Sequence, residues 1–493
     1  MSSNQPYIES PPAPNPRRWA ALAALALVQF IIYADATIVN VALPSIQDDL
    51  HFSSNSLVWV VNCYLIAAGG LLLLGGRLGD HFGHRRVFLC GAAGFTIASL
   101  IAGCAQNSAM LLIGRVLQGV SEGLAAPAGL AIVALLFTDQ EELGRAFGIW
   151  SGLAGLGAAS GVLLSGLFTD LLTWRLVFFI NVPLALIALI AVPKLVGESR
   201  AGDGEHRLDW PGAVLITGGL FAVLYGILGA ADDGWLTVRV LVPLVIGIVA
   251  VAGFFAVEGR TNDPLVPLAF IANRVRATAY AVVIVLGGAT AALFFMVVLY
   301  MQDILDYSPL QSGLAWLPYT VAFLAGIMFC MRVSQQWGSR WTILTGLVIV
   351  GAGMVVLCFI GEQGSFATHV LPATVLIGFG IGFANPAVQQ AAMTSVSERD
   401  AGLGSGLFTT LLQLSGAIGL SVLMSVALAT TNHKTDGGAS VAAATVSGYH
   451  AAFAIAVVAL ACAAVATVAL LPRKAAPVDE QPAVTEPTVS GGM

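Results

Sequence analysis

Residues Gln29 to Pro44 read QFIIYADATIVNVALP and place one acidic residue, Asp35, inside an apolar segment. The segment runs from Trp19 to Leu43 with no other charged side chain. About 20 apolar residues are enough to cross a bilayer as a helix. A carboxylate in such a helix is costly and is by default a functional hypothesis. The stretch therefore predicts both a membrane-spanning helix and a site within it.

The composition of the whole chain supports a membrane protein. Hydrophobic residues make up 57% of the 493 residues and charged residues 10%, whereas a soluble domain has about a quarter of its residues charged. The lipid bilayer is the expected surrounding, and no nucleic-acid partner is indicated. The six cysteines form no CxxC pair, so neither a metal site nor a disulfide framework is predicted.

Fourteen apolar stretches are long enough to span the membrane, which predicts an all-α integral membrane protein. We place them near residues 19–43, 57–76, 86–105, 110–137, 145–168, 175–196, 212–231, 238–257, 277–301, 311–331, 341–361, 370–393, 402–430 and 450–472. Because Arg17 and Arg18 precede the first span, we expect an uncleaved first helix and both termini in the cytoplasm.

The basic residues agree with this topology. With the N-terminus inside, the outer side carries only Arg175, Arg239 and Lys434, and the membrane interior only Arg115. The rest of the 21 Lys and Arg residues fall on the inner side, as the positive-inside rule requires. The expected location is therefore the inner or plasma membrane, with many crossings.

The two halves of the chain resemble each other. The sequence EGLAAPAGLA in the fourth span matches IGFANPAVQQ in the twelfth, and GHRR after the second span matches GSRW after the tenth. Such repeats are typical of alternating-access transporters. The prediction is two pseudo-symmetric six-helix bundles with two helices inserted between them. The bounds are a tail (1–18), an N-terminal bundle (19–196), a linker with the inserted pair (197–260), a C-terminal bundle (261–474) and a disordered tail (475–493).

Ionisable residues inside the spans indicate the chemistry. Arg115, Gln118, Gly119 and Glu122 follow helical spacing and share one face of the fourth span. If Asp35 faces them, an Asp–Arg–Glu group forms away from water. Burial favours a neutral carboxyl group and a nearby guanidinium favours a charged one, so movement of Arg115 could switch proton binding. A two-unit change in proton affinity takes roughly 2.7 kcal/mol, and a proton crossing 100 mV releases about 2.3 kcal/mol. The alternative is a structural ion pair between two helices.

The loop after the second span is the most specific motif. Residues 76–86, GRLGDHFGHRR, combine turn-forming glycines with one acid and three arginines. The loop resembles the cytoplasmic signature loop of the major facilitator superfamily. RVLQGVSEG (115–123) is similar to the fourth-span arginine motif of its proton-driven exporters, and ADATIVNVALP (34–44) to the first-span motif of its fourteen-span drug:proton antiporters. WRLVFFINVP (174–183) and LDWPG (208–212) are further family-like stretches.

The resemblance implies a proton-driven exporter of amphipathic small molecules, such as drugs or antibiotics, that needs no cofactor and is not an enzyme. Asp35 and Arg115 would take part in proton coupling, and Glu122 would share or relay the proton. A cytoplasmic gating loop would comprise Gly76, Gly79, Asp80, Gly83, Arg85 and Arg86. Gly119, Gly155, Gly157 and Gly161 would serve helix packing and bending, although Ala158 stands where the family's fifth-span motif has proline.

Other readings stay open at this point. Polar side chains that could line a substrate cavity are Tyr33, Asn62, Tyr64, Gln118, Asn385, Gln389 and Gln413, and each could instead form a bond between helices. A dedicated exporter of one endogenous metabolite or self-made antibiotic would have the same motifs. A membrane-embedded enzyme would need clustered acids, His or Cys at a membrane face, and a channel would not need paired halves. We expect a monomer.

Overall fold

The described part of the chain consists mainly of long α-helices. The structure is a computed structural model that describes residues 17–137, 139–198, 209–261, 268–394, 396 and 401–472. The helices are α1 (Arg18–Leu50), α2 (Ser54–Phe82), α3 (His84–Gly103), α4 (Ser108–Leu136), α5 (Gln140–Leu171), α6 (Leu176–Phe179), α7 (Asn181–Leu195), α8 (Trp210–Asp233), α9 (Val238–Glu258), α10 (Leu268–Ile271), α11 (Arg274–Leu299), α12 (Pro309–Ala315), α13 (Leu317–Leu357), α14 (Leu371–Ala392), α15 (Ala401–Asp436) and α16 (Val441–Leu470). Two π-helical turns, Tyr300–Ile304 and Phe366–Val370, adjoin α11 and α14.

The predicted number of crossings is confirmed. Thirteen helices among the described residues are long and apolar enough to span a membrane. Helix α5, Gln140–Leu171, adds a crossing with the apolar stretch Leu156–Leu171. All of the predicted spans therefore correspond to helical segments. We call the membrane side where α1 begins at Arg18 the near side, and the side where it ends at Leu50 the far side.

The predicted tenth and eleventh spans form one continuous helical run, α13, with a break at a single residue. Gly338 has φ 73° and ψ 162°, a conformation that is essentially restricted to glycine. Gly83, between α2 and α3, also has a positive φ, of 99°. These are the two glycines that the matched GHRR and GSRW motifs align. The repeat seen in the sequence thus corresponds to a repeated backbone turn on the near side.

The helices pack as two groups joined by a third. Helices α1 to α7 pack against one another, and so do α11 to α16. We call these groups the first half and the second half. Helices α8 and α9 form a pair, and α8 also packs against α2 of the first half and α15 of the second. The predicted tails and part of the 197–260 linker lie outside the described residues.

Polar contacts between the halves lie at the far side and at mid-depth. At the far side, Gln302 donates to the carbonyl oxygen of Val41 at 2.9 Å, and the Ser308 hydroxyl lies 3.2 Å from the Asp170 carboxylate. Deeper in the membrane, Asn62 donates to the Ser421 hydroxyl at 2.7 Å. These bonds hold the two halves together around the interior where the predicted site lies.

Candidate functional site

Asp35 and Arg115 form a buried ion pair. Asp35 projects from α1 and Arg115 from α4, and Arg115 Nη1 lies 2.5 Å from Asp35 Oδ2. Both side chains are almost completely removed from solvent, at 0% and 1% exposure. Burying two charges is costly unless further hydrogen bonds satisfy their remaining atoms. The neighbouring side chains supply those bonds.

Two amides complete the coordination of the Asp35 carboxylate. Its Oδ1 accepts hydrogen bonds from Gln118 Nε2 at 2.9 Å and from Asn181 Nδ2 at 2.8 Å. Gln118 lies on α4, one turn after Arg115, and Asn181 is the first residue of α7. The carboxylate therefore has three donors, all of them from the first half.

Arg115 is held equally firmly. Its Nε donates to the Val60 carbonyl oxygen at 2.9 Å, and Nη1 also donates to Gln118 Oε1 at 2.9 Å. Its guanidinium carbon lies 4.3 Å from the centre of the Tyr64 ring, within the range of a cation–π contact. A hydroxyl group from α3, Ser99 Oγ, accepts from Gln118 at 3.0 Å. The result is a closed polar network surrounded by apolar helices.

Glu122 lies outside this network. It is one further turn along α4 and 5% exposed, and its Oε1 accepts a hydrogen bond from Gln413 Nε2 at 2.8 Å. Gln413 belongs to α15, so this bond crosses from the first half to the second. Within the described residues, Glu122 Oε2 makes no hydrogen bond. The predicted Asp–Arg–Glu group is thus a tight Asp–Arg pair with Glu122 close by but bonded elsewhere.

The polar residues predicted to line a cavity differ in how deeply they are buried. Tyr33 is 38% exposed and interacts electrostatically with Glu122. Asn62, Tyr64 and Gln118 are almost fully buried. In this conformation they line no open cavity, because Asn62 joins α2 to α15 and Gln118 serves the Asp35 network.

The second half contributes two more of the predicted cavity residues. Asn385 is partly buried in α14, one residue before Pro386. Gln389 is exposed and lines a separate cavity of about 410 Å³ with Cys330 and Met393, toward the near side. Gln413 is partly buried and is the member of this set that contacts Glu122.

The charged residues of the predicted gating loop have different partners. Asp80 lies 3.4 Å from His84, one turn ahead, and not beside the two arginines. Arg85 and Arg86 instead approach Glu198 at 3.6 Å and 3.4 Å, just beyond the end of α7. Sequence reasoning missed Glu198, because nothing in its local sequence places it beside a loop more than 100 residues earlier.

The predicted glycines lie where backbones meet. Gly119 faces the backbone of α2 at Tyr64, Gly157 that of α1 at Phe30, and Gly161 that of α1 at Ala34. In the loop, a methyl group on Gly79 would meet His84 and one on Gly83 would meet Glu198, whereas Gly76 has more room, with Pro127 at 3.9 Å. The surroundings of Gly155 lie outside the described residues. Within the described chain, no cluster of three His, Cys, Asp or Glu residues could hold a metal ion.

Comparison with known proteins identifies the family. A family model described as Major Facilitator Superfamily matches residues 25–420. The chain belongs to the Major Facilitator Superfamily. The resemblance inferred from the loop and from the first and fourth spans is therefore confirmed, and this superfamily of transporters agrees with a transporter rather than an enzyme.

Several related proteins are antibiotic resistance and export proteins. The puromycin resistance protein pur8 of Streptomyces alboniger is 39% identical over 95% of this chain and 94% of its own length. The lincomycin resistance protein of Streptomyces lincolnensis is 34% identical over 83% and 84% of the two chains. The cephamycin export protein CmcT of Amycolatopsis lactamdurans is 36% identical over 82% and 84%. These bacterial relatives imply a multi-pass protein of the plasma membrane.

Solved structures of the superfamily share the fold. A bacterial homologue of the human lysosomal transporter Spinster, in an inward-facing and unoccupied conformation, superposes with a TM-score of 0.68 and 16% identity, covering 94% of this chain and 99% of that one. The POT family transporter PepTSo gives a TM-score of 0.67 with 16% identity, covering 92% of this chain and 98% of that one. The all-α membrane fold of the superfamily is therefore confirmed.

Proposed function

We propose that this protein exports amphipathic small molecules of the antibiotic type and is driven by protons that move inward. The buried Asp35–Arg115 pair is the observation that carries this proposal. Ionisable residues inside membrane helices mark ion pathways and proton relays. The relatives named for resistance to puromycin and lincomycin and for cephamycin export support the substrate class and the direction.

The geometry supports a specific coupling step. The Asp35 carboxylate accepts a charge-assisted hydrogen bond from Arg115 at 2.5 Å. A proton on Asp35 removes the negative charge that balances the guanidinium. The guanidinium is then a buried, uncompensated cation, which costs several kcal/mol. The helix contacts around Arg115 must rearrange to relieve that cost, and this links proton binding to the change between inward-open and outward-open states.

The orientation follows from the charges on the two membrane faces. We place the near side in the cytoplasm because Arg85, Arg86 and Arg145 lie there, and positive residues favour cytoplasmic loops. Protons would then enter from the far side and leave to the cytoplasm, while substrate moves the opposite way. The domain bounds proposed from the sequence, with bundles at 19–196 and 261–474, are the units that would rock about the site.

Transport in everted membrane vesicles tests the proposal. An imposed proton gradient should drive ethidium accumulation by the native chain, and an uncoupler should abolish it. Asp35→Asn keeps the shape of the side chain but cannot exchange a proton, so we expect gradient-driven transport to be lost while ethidium binding is kept. Glu362→Gln removes an exposed far-side carboxylate and is the charge-matched control, with transport unchanged.

Three outcomes would contradict parts of the proposal. Equal transport by the native chain and Asp35→Asn would exclude Asp35 as the coupling residue. Native transport that persists with the uncoupler would exclude proton drive. Transport confined to one compound in a panel of antibiotics would favour a dedicated exporter, as the cephamycin export protein is by its name.

A further inference from the structure

A second acidic group lies in the interior, and the Asp35 network does not use it. Glu122 is 5% exposed, with Oε1 bonded to Gln413 and Oε2 without a hydrogen bond among the described residues. Polar atoms buried in this way are rare in folded proteins, and each calls for an explanation. A carboxylate oxygen that lacks a donor in a low-dielectric interior is an open binding position.

The position lies between the two halves and not within one of them. Gln413 reaches Glu122 because α2 and α15 approach closely at Gly69, where an added methyl carbon would lie 3.1 Å from Gln413 Cβ. Glu122 and Gln413 are 291 residues apart in sequence, yet their side chains meet at 2.8 Å. A ligand bound here would contact both halves at once, as the substrate of an alternating-access transporter must.

The neighbours of Glu122 suit a cation. The Tyr64 hydroxyl lies next to the Glu122 carboxylate and is a weak hydrogen-bond donor to it, outside regular hydrogen-bond geometry. A hydroxyl oxygen can accept an N–H that a ligand donates. Tyr33, with 38% of its surface exposed, interacts electrostatically with the same carboxylate and carries an aromatic ring of the kind that binds cations. The positive charge that acts on Glu122 within the described residues, that of Arg115, is already balanced by Asp35 at 2.5 Å.

We propose that Glu122, positioned by Gln413 and flanked by Tyr33 and Tyr64, binds the protonated amine of the exported substrate. One ammonium N–H would reach Glu122 Oε2 and a second the Tyr64 hydroxyl oxygen, while Gln413 keeps Oε1. The substrate class is therefore a monocationic amphipath with at least one N–H, rather than a neutral or anionic compound. Asp35 cannot take this role because its carboxylate oxygens already bind Arg115, Gln118 and Asn181.

The inference rests on the proposed function in one respect, namely that the interior binds an exported compound. It separates the two carboxylates, with proton exchange at Asp35 and substrate recognition at Glu122. Binding to the purified chain, measured without a gradient, tests Glu122 alone. Failure of gradient-driven transport with binding intact would count against the proton drive and not against the amine site.

A matched set of fluorescent probes separates the effect of the positive charge from that of the ammonium N–H. Dansylcadaverine carries a primary amine, its N-acetyl derivative is neutral, and its trimethylammonium derivative is charged but has no ammonium N–H. Affinities are measured by dansyl fluorescence for the native chain, Glu122→Gln, Glu122→Asp and the control Glu362→Gln, each shown to be monodisperse in detergent. The amide in Glu122→Gln keeps the side chain's size, so that a change in binding reports the charge.

We expect the native chain and Glu362→Gln to bind the amine at least ten-fold more tightly than the acetyl derivative. Glu122→Gln should lose ten-fold or more of the amine affinity and leave the acetyl derivative within about three-fold, while Glu122→Asp should recover part of the preference. The trimethylammonium probe should bind less tightly than the amine, because it cannot donate to Oε2. Native chain that shows no preference for the amine, through equal binding or no binding, overturns the proposal. An unchanged preference in Glu122→Gln also overturns it, and assigns Glu122 to the proton pathway instead.

Discussion

The Asp35–Arg115 pair makes a quantitative prediction about stability. Either single neutralisation should be far more damaging than both together. Asp35→Asn leaves the guanidinium, at 1% exposure, with no counter-charge, and Arg115→Gln leaves the carboxylate in the same position. Breaking a buried pair by removing one partner typically costs 3–5 kcal/mol. The remaining bonds offset part of this, those of Arg115 to Val60 and Gln118 in one variant and those of Asp35 to Gln118 and Asn181 in the other. We therefore expect about 3 kcal/mol for each single variant.

The double variant should recover much of the loss, because no unpaired charge remains buried. We expect the unfolding free energy of Asp35→Asn with Arg115→Gln to exceed the additive value by about 2–4 kcal/mol, within the wide range that contacting residues show. The assay is unfolding in mixed detergent micelles, followed by tryptophan fluorescence. Additive losses, with a coupling below about 0.5 kcal/mol, would refute the reasoning, since they would mean that water or other groups already compensate each charge.

Two further predictions use glycines with matched controls on the same helix, and both are read out as unfolding free energies. Gly338→Ala should destabilise the protein by about 1–3 kcal/mol, because the φ of 73° and ψ of 162° at this position suit only glycine. Gly351 is a helical position with open space around it, so Gly351→Ala should be neutral or stabilise the protein by up to about 1 kcal/mol. Equal effects at the two positions would show that the break in α13 is not set by backbone conformation. Gly157→Ala should cost about 1–3 kcal/mol by pushing α5 away from the α1 backbone at Phe30, whereas Gly152→Ala, with open space, should not. Tolerance of both substitutions would mean that α1 and α5 are less closely packed than the structure shows.

Much of the architecture could be predicted from the sequence, because the thickness of the bilayer sets the length of every membrane-spanning helix. Hydrophobic length and the positions of arginines were enough for the number of crossings, and the repeated Gly83 and Gly338 were visible as matched motifs. The pairing of Asp35 with Arg115 was also predictable, since a lone buried carboxylate needs a cation and the spans offer only one.

Contacts between helices that are distant in the sequence were harder to predict from the sequence. Asn181 is an essential donor to Asp35, and its only signal was an amide inside the apolar run FFINVP. The bond from Gln413 to Glu122 depends on which faces of α4 and α15 oppose each other across the interior, and helical periodicity gives the faces but not their partners. Glu198 was missed for the same reason, because the end of α7 meets the loop after α2 only in the folded chain.

The distribution of partners between the two carboxylates constrains the transport cycle. Every donor to Asp35 lies on α4 or α7, within the same half as Asp35 itself. A rigid rocking of one half against the other leaves that network unchanged, so rocking by itself cannot alter the proton affinity of the site. The Glu122–Gln413 bond, in contrast, joins the halves and must change when they move apart. In the proposed mechanism, the proton would therefore act by rearranging α1 against α4 inside the first half, and the substrate by acting at the junction between the halves.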